Sequence, residues 1–406
     1  MKPQQTQFLF LNVGHFLDHF FMLIFATAAA LRLTTEWNLS YAELIPYATP
    51  GFIAFGVCAI PAGWLADKWS REGMMIIFFI GIGFSSIVAG MANGPVHIAI
   101  ALTLVGLFAA IYHPVGLAMV VQGREKTGIP LAVNGIFGNM GVASAAILTG
   151  FLIDSAGWRS AFIASGIVSI AIGLLYMRFL HGQKSATQSR VSNVKKSSGK
   201  SQTYATANYP KPVFLKVFAV ILFTTAIGGL IFQSTTFALP KVFEERLSEF
   251  ANTATLIGWY TFLVFTIAAF AQLVVGYLVD NYSVRLVFAC VALMQSVFFV
   301  LMIQLEGVAA LLVAIAFMLA VFGQIPINDV LLGRMISNEW RSRAYALRYV
   351  ITFSVMASAV PLIAWVHANW GFSRLFVILA LAAMLVFLAT LLLPSARQKQ
   401  ALPSTV

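Results

Sequence analysis

Apolar residues in this chain come in long unbroken stretches, without the polar/apolar alternation of a half-buried strand. Bounded by Gly, Pro or charged residues, they fall at 8–32, 42–66, 73–92, 96–122, 129–153 and 159–180. A second set falls at 213–239, 252–279, 284–305, 307–336, 343–366 and 371–393. Crossing the hydrocarbon of a bilayer takes a helix of about 20 apolar residues. The pattern therefore predicts an all-α membrane protein with twelve transmembrane helices in two sets of six. A membrane β-barrel is excluded, because its strands alternate polar and apolar positions. The one long polar stretch carries Lys184, Arg190, Lys195, Lys196 and Lys200 among Ser, Thr and Gln, the composition of a flexible linker. The expected organisation is a six-helix half over 1–181, a basic linker over 182–211, a second six-helix half over 212–394 and a tail over 395–406.

Composition agrees. Of 406 residues, 60% are hydrophobic and only 10% charged, against about 25% charged in a soluble domain, which excludes a cytosolic enzyme and a disordered chain. The net charge of +11 need not mean nucleic acid, since cytoplasmic loops of membrane proteins are rich in Lys and Arg. With the N-terminus inside, only Arg32, Arg159, Lys241, Arg246 and Arg374 of the 25 basic residues lie outside. The other twenty lie on the cytoplasmic side, so both termini are expected there, in the cell inner membrane. Ala26-Thr27-Ala28 resembles a signal-peptide cleavage site, but His15, Asp18 and His19 interrupt the segment before it. It is read as a retained first helix. Cys58 and Cys290 both sit in apolar stretches, and no disulfide is expected.

The halves repeat. Gly63-Trp64-Leu65-Ala66-Asp67 and Gly276-Tyr277-Leu278-Val279-Asp280 are offset by 213, Pro114 and Pro326 by 212, and Gly157 with Phe162 matches Gly371 with Phe376 at 214. Parallel six-helix repeats are the plan of a large class of transporters. The string from Gly63 through Asp67 and Lys68 to Arg71 is similar to the loop 2–3 signature of the major facilitator superfamily, with Ser70 where a Gly is usual and Glu72 where a basic residue is common. The resemblance covers the whole chain. It implies a twelve-helix secondary transporter, monomeric by family default, with small-molecule substrate and protons as partners besides the lipid bilayer. It implies gating roles for Gly63, Asp67 and Arg71 and for the mirrored Asp280.

Asp18 between His15 and His19, and His113-Pro114-x-Gly116, resemble the fosmidomycin-resistance branch of efflux proteins, though Val115 stands where that branch has an acidic residue. Export is the direction this implies. Helix 5 carries Gly135, Gly138, Gly141 and Gly150 but lacks the Gly-Pro pair of many exporters. Such small residues permit close helix packing.

Ionisable residues inside a membrane are costly and mark function by default. At 100° per residue, Asn12, His15, Asp18 and His19 fall within an arc of about 120°. Asp18 and His113 both lie roughly 15–16 Å in from the cytoplasmic side. Asp18 with His15, His19 or His113 is expected to couple protons. Two His at i, i+4 and an Asp also suit a metal, but with no Cys or further carboxylate from the same half beside them, none is expected. In the second half, Gln324, Asn328 and Asp329 flank Pro326, while Tyr345, Arg348 and Thr352 share a helix face. Asn12, Asn134, Gln233, Gln324, Asn328, Asp329, Tyr345 and Arg348 are the expected substrate contacts, Arg348 holding a carboxylate or phosphate or else a salt bridge to Asp329. Thr235, Thr236 and Gln272 add neutral hydrogen-bonding capacity. Asn134 is the repeat-related partner of Arg348, at offset 214, so the two halves should differ in charge. With no nucleotide-binding loop, no catalytic constellation and no implied cofactor, the chain reads as a transporter. A siderophore or metal-chelate carboxylate carrier and a non-transporting nutrient receptor are the alternatives.

Overall fold

The computed structural model describes residues 3–122, 124, 128–188, 211–335 and 338–394. All described elements are helices: α1 (Pro3–Trp37), α2 (Tyr41–Lys68), α3 (Arg71–Gly90) and α4 (Pro95–Val121), then α5 (Gly128–Ala156) and α6 (Trp158–Gln188). After the linker come α7 (Lys211–Arg246), α8 (Ala254–Asn281), α9 (Val284–Leu301) and α10 (Gly307–Met335). The last stretch, Asn338–Thr390, is interrupted at Gly371, where φ is 69° and ψ −174°, giving α11 (338–370) and α12 (372–390). Eleven stretches are long and apolar enough to span a bilayer, the last of them 41 residues. Forty-one residues of helix measure about 60 Å, twice the hydrocarbon thickness, so that stretch is two crossings and the total is twelve.

The repeat has a backbone signature. Gly157 ends α5 at φ 82°, and Gly371 separates α11 from α12 at φ 69°. Both use the left-handed region, which glycine enters without steric cost, to turn the chain between helices joined by a single residue.

The chain folds as two compact units. Unit 1 comprises the first half without Tyr41–Pro46 and includes Thr253–Trp259; unit 2 comprises the second half and includes Tyr41–Pro46. In unit 1, α3 packs along α6, α1 along α5 and α2 along α4. Buried serines tie the first pair, Ser86 donating to the Phe162 carbonyl and Ser169 to that of Phe79, each at 2.7 Å. In unit 2, Ser296 of α9 likewise donates to the Ala380 carbonyl of α12 at 2.9 Å. Its core is built from Ile221, Phe288, Ala292, Ile327 and Val386, among others. Val57, Ile60 and Trp64 on α2, and Phe270, Val274 and Tyr277 on α8, are exposed. An apolar surface of this extent is a liability in water and a match for lipid.

Candidate functional site

Two breaks in helical geometry shape unit 1. In α4 the segment Tyr112–Gly116 is a π-helical turn. Pro114 in that segment has no N–H to give the backbone ladder, and π-turns recur at functional sites. The turn carries Tyr112 and His113 side by side. Gly63 of the loop signature packs on it: a Cβ at Gly63 would lie 3.1 Å from Pro114. In α1, Ala29–Leu33 is a second π-turn, nearly three helical turns beyond the polar stripe.

The stripe predicted on α1 meets this turn. Asp18 is wholly buried, its Oδ2 3.3 Å from His113 Nε2; its Oδ1 takes no hydrogen bond among the described residues. The rings of His15, His19 and His113 lie 5.0–5.5 Å apart, centre to centre. One nitrogen from each falls within 4.8 Å of the others. No metal was expected for want of a Cys or further carboxylate from this half; the group that joins the pair on α1 is instead a third imidazole, that of His113. His15 is fixed from two sides. Its Nδ1 lies 2.8 Å from the Asn134 backbone carbonyl, and its ring stacks on Tyr112 at 4.8 Å. A carbonyl only accepts, so Nδ1 carries the hydrogen and Nε2 presents its lone pair to the cluster. Gly138 on α5 makes room for this ring; a Cβ there would lie 2.7 Å from His15 Nε2.

Asn134 is the hub that joins three helices. Its amide donates to Asn12 Oδ1 and to the Tyr112 hydroxyl, each at 2.9 Å, and Tyr112 donates onward to the Leu11 carbonyl at 2.8 Å. Asn12 and Asn134, expected as substrate contacts, are thus buried and bonded to each other, a tie between α1, α4 and α5. Tyr112 was not anticipated; in an apolar run it reads as core, and its one signal is a phenol that must find a partner when buried.

The buried polar side chains described in unit 2 are neutral. Asn328 accepts from the Thr224 hydroxyl at 3.2 Å, and Gln324 donates to the Thr224 carbonyl at 3.4 Å. Gln324 Oε1, Gln233 Nε2 and Ser234 Oγ are buried without a hydrogen bond among the described residues. Thr235 and Thr236 donate to carbonyls of their own helix at 2.8 and 2.7 Å, so their hydroxyl protons are spent on α7. Gln272 is half-buried on α8. Arg348 is half-buried on α11, where Thr352 donates to its carbonyl at 2.8 Å. The side chains of Asp329 and Tyr345, and hence the expected Asp329–Arg348 bridge, lie outside the described residues. Gln295 on α9 also went unanticipated: wholly buried, with neither amide atom bonded among the described residues.

At the loop signature, Asp67 and Arg71 pair at 2.8 Å across the α2–α3 connection and are well exposed. Ser70 caps α3, its hydroxyl accepting from the Gly73 N–H at 3.0 Å in extended backbone, φ −165°. That accounts for serine in place of the usual glycine: the position needs a capping oxygen, not a positive φ. Asp280 is exposed at the end of α8.

Two six-helix units with matching turns, buried polar clusters at mid-helix and exposed apolar helix faces define a polytopic membrane protein. The family model for the Major Facilitator Superfamily matches residues 11–248 and 245–405. The chain belongs to that superfamily.

Among solved structures, a bacterial homolog of the human lysosomal transporter Spinster, inward-facing and unoccupied, superposes with a TM-score of 0.74 at 13% identity, over 97% of this chain and 98% of that one. The gallate transporter of Pseudomonas putida is 26% identical over 145 residues, 35% of this chain and 32% of the relative. The probable 4-methylmuconolactone transporter of Cupriavidus pinatubonensis is 28% identical over 214 residues, half of each chain. The chain thus matches about a third to a half of the length of these relatives.

Proposed function

We propose that the protein is a proton-coupled transporter of a small organic anion, working by alternating access of its two halves about a central site. The observation that carries this reading is the pair Asp18–His113, a wholly buried carboxylate 3.3 Å from an imidazole inside one half. An ionisable pair in the membrane is costly, and these are the two side-chain types that most readily trade a proton. His15 and His19 extend the pair. Arg348, Gln324, Asn328 and Gln233 form the substrate side, the guanidinium holding a carboxylate and the amides its oxygens; Asp329 and Tyr345 join them in this reading. That one relative is a gallate transporter, gallate being a carboxylate, supports an anion. Gly63, Asp67 with its partner Arg71, and the mirrored Asp280 take the gating roles that the loop signature implies. The charge distribution of the loops supports cytoplasmic termini and an inner-membrane location, and a monomer is the family default. Export rests on the resemblance to the fosmidomycin-resistance branch alone.

The test is proton flux in liposomes loaded with a pH dye. Purified protein is offered gallate and related aromatic carboxylates, phosphonates, polycarboxylate siderophores and lipophilic cations, with Asp18→Asn in parallel. Carboxylate-dependent proton movement, absent in the variant, is the expected result, and the sign of the pH change gives the direction. Flux of the same size in Asp18→Asn would remove the coupling assignment. Solute binding without flux in either protein would turn the reading to a receptor.

A further inference from the structure

We infer that the three histidines of unit 1 form a binding site for a borderline divalent transition-metal ion of the zinc and cobalt class, with Asp18 completing it. Three features of the geometry point there. First, one nitrogen each from His15, His19 and His113 lies within 4.8 Å of the others. Zinc bonds imidazole nitrogen at about 2.0–2.1 Å, which sets tetrahedral ligand atoms roughly 3.3 Å apart. Closure by about 1.5 Å at most is within reach of side-chain torsions.

Second, the rings are held as metal-binding rings are held. A ligating histidine commonly gives its second nitrogen to a carbonyl or a carboxylate, which fixes the tautomer and aims the first. His15 gives Nδ1 to the Asn134 carbonyl at 2.8 Å, and His113 sets Nε2 3.3 Å from the Asp18 carboxylate. An imidazole so oriented binds through its other nitrogen. His15 Nε2 is the clearest ligand atom: the residue is 7% exposed, and that nitrogen has no hydrogen-bond partner among the described residues. Third, α5 is hollowed to keep the ring where it is, since a Cβ at Gly138 would sit 2.7 Å from His15 Nε2.

The donor set chooses the ion. Three imidazoles suit zinc, cobalt or nickel; calcium and magnesium ask for oxygen ligands, and copper(I) for thiolate or thioether. The carboxylate of Asp18 lies beside the site, as fourth ligand or as the partner of His113, and offsets part of the charge of a divalent ion held away from water.

Metal binding is measured without flux, so the inference stands or falls apart from the coupling reading. The full-length protein, free of any histidine tag, is titrated with Co2+ in detergent and followed by the visible absorption of tetrahedral cobalt, then by displacement with Zn2+. One ion per chain is expected, with apparent affinity lowered about tenfold or more by His15→Gln, His19→Gln or His113→Gln. His181→Gln and His367→Gln, outside the cluster, should leave it unchanged. Each variant is first checked for wild-type elution and thermal midpoint. His19, the half-buried member of the α1 pair, gives a variant that keeps the test decisive should His15→Gln fail to fold. No saturable cobalt spectrum in the wild type, or one that survives in folded His19→Gln and His113→Gln, overturns the site.

Discussion

In unit 1 the buried polar residues include an ionisable cluster beside amides and hydroxyls; in unit 2 the described buried ones are amides and hydroxyls alone, and both units leave polar atoms unbonded among the described residues. Asp18, His113, His15 and Asn134 close a network within α1, α4 and α5. Across the repeat, Gln324 and Asn328 share Thr224, while Gln324 Oε1 and Gln233 Nε2 remain unbonded among the described residues. The position related by the repeat to the hub Asn134 is Arg348. Two copies of one six-helix plan have thus acquired different chemistry at corresponding places. Ionisable groups can change their charge with no solute present, whereas amides can only offer hydrogen bonds. In the proposed reading, coupling belongs to the first half and recognition to the second.

That assignment breaks most visibly at Asp18. Asp18→Asn keeps the shape and removes the charge, so solute-driven proton movement should fall to background while solute binding, read by thermal stabilisation, persists. Arg348→Gln should do the reverse: KM for a carboxylate should rise about tenfold or more, the loss of one charge-assisted hydrogen bond of roughly 1.5–3 kcal/mol, with proton coupling of the residual flux intact. If Arg348→Gln uncoupled the protein and Asp18→Asn only raised KM, the two halves would have to exchange roles.

Next in size is the packing beneath the histidines. Gly138→Ala drives a methyl toward His15 Nε2, with an ideal separation of 2.7 Å. Overpacking of this kind costs about 1–3 kcal/mol, so the thermal midpoint should fall and the histidine cluster should be disturbed. Gly135, one turn earlier on the same helix, has nothing within 4 Å of where its Cβ would be. Gly135→Ala should therefore be neutral or raise stability by up to about 1 kcal/mol, the helix preference of alanine over glycine. Equal losses at both positions would show that helix geometry, not the His15 ring, requires glycine there.

These two glycines mark where sequence reasoning stops. The twelve helices were legible because a long apolar run has few solutions in a bilayer once backbone groups must be satisfied internally. The repeat was legible in Gly157 and Gly371, whose positive φ ties the residue type to the turn. The polar stripe on α1 followed from the helical period, and the approach of His113 from equal depth. The glycine spacing on α5, in contrast, treats Gly135 and Gly138 alike; only the placement of α1 separates them. Tyr112 and Gln295 were invisible for a related reason, since one polar residue within an apolar run discloses neither which way it faces nor what it meets. Thr235 and Thr236 were overread: a threonine on a membrane helix has its own backbone as nearest acceptor.

The smallest expected effect tests that last point and sharpens the contrast between the halves. Asn134→Leu removes amide bonds to Asn12 and Tyr112 that join three helices and leaves those partners buried. A hydrogen bond between membrane helices contributes about 0.6 kcal/mol on average and up to about 1.7, and Asn134 makes two. Thr236→Val on α7 removes only a bond to the Phe232 carbonyl four residues back, in a side chain of nearly the same shape. Its effect on the thermal midpoint in detergent should lie within about 0.5 kcal/mol of zero, the scatter of substitutions that touch no special feature, and KM for the solute should not move. An intact midpoint with a severalfold rise in KM would instead mean that the Thr236 hydroxyl leaves its own helix when substrate is present. The hydroxyl would then belong with Gln233 and Gln324 on the recognition side, as hydrogen-bonding capacity open to the solute.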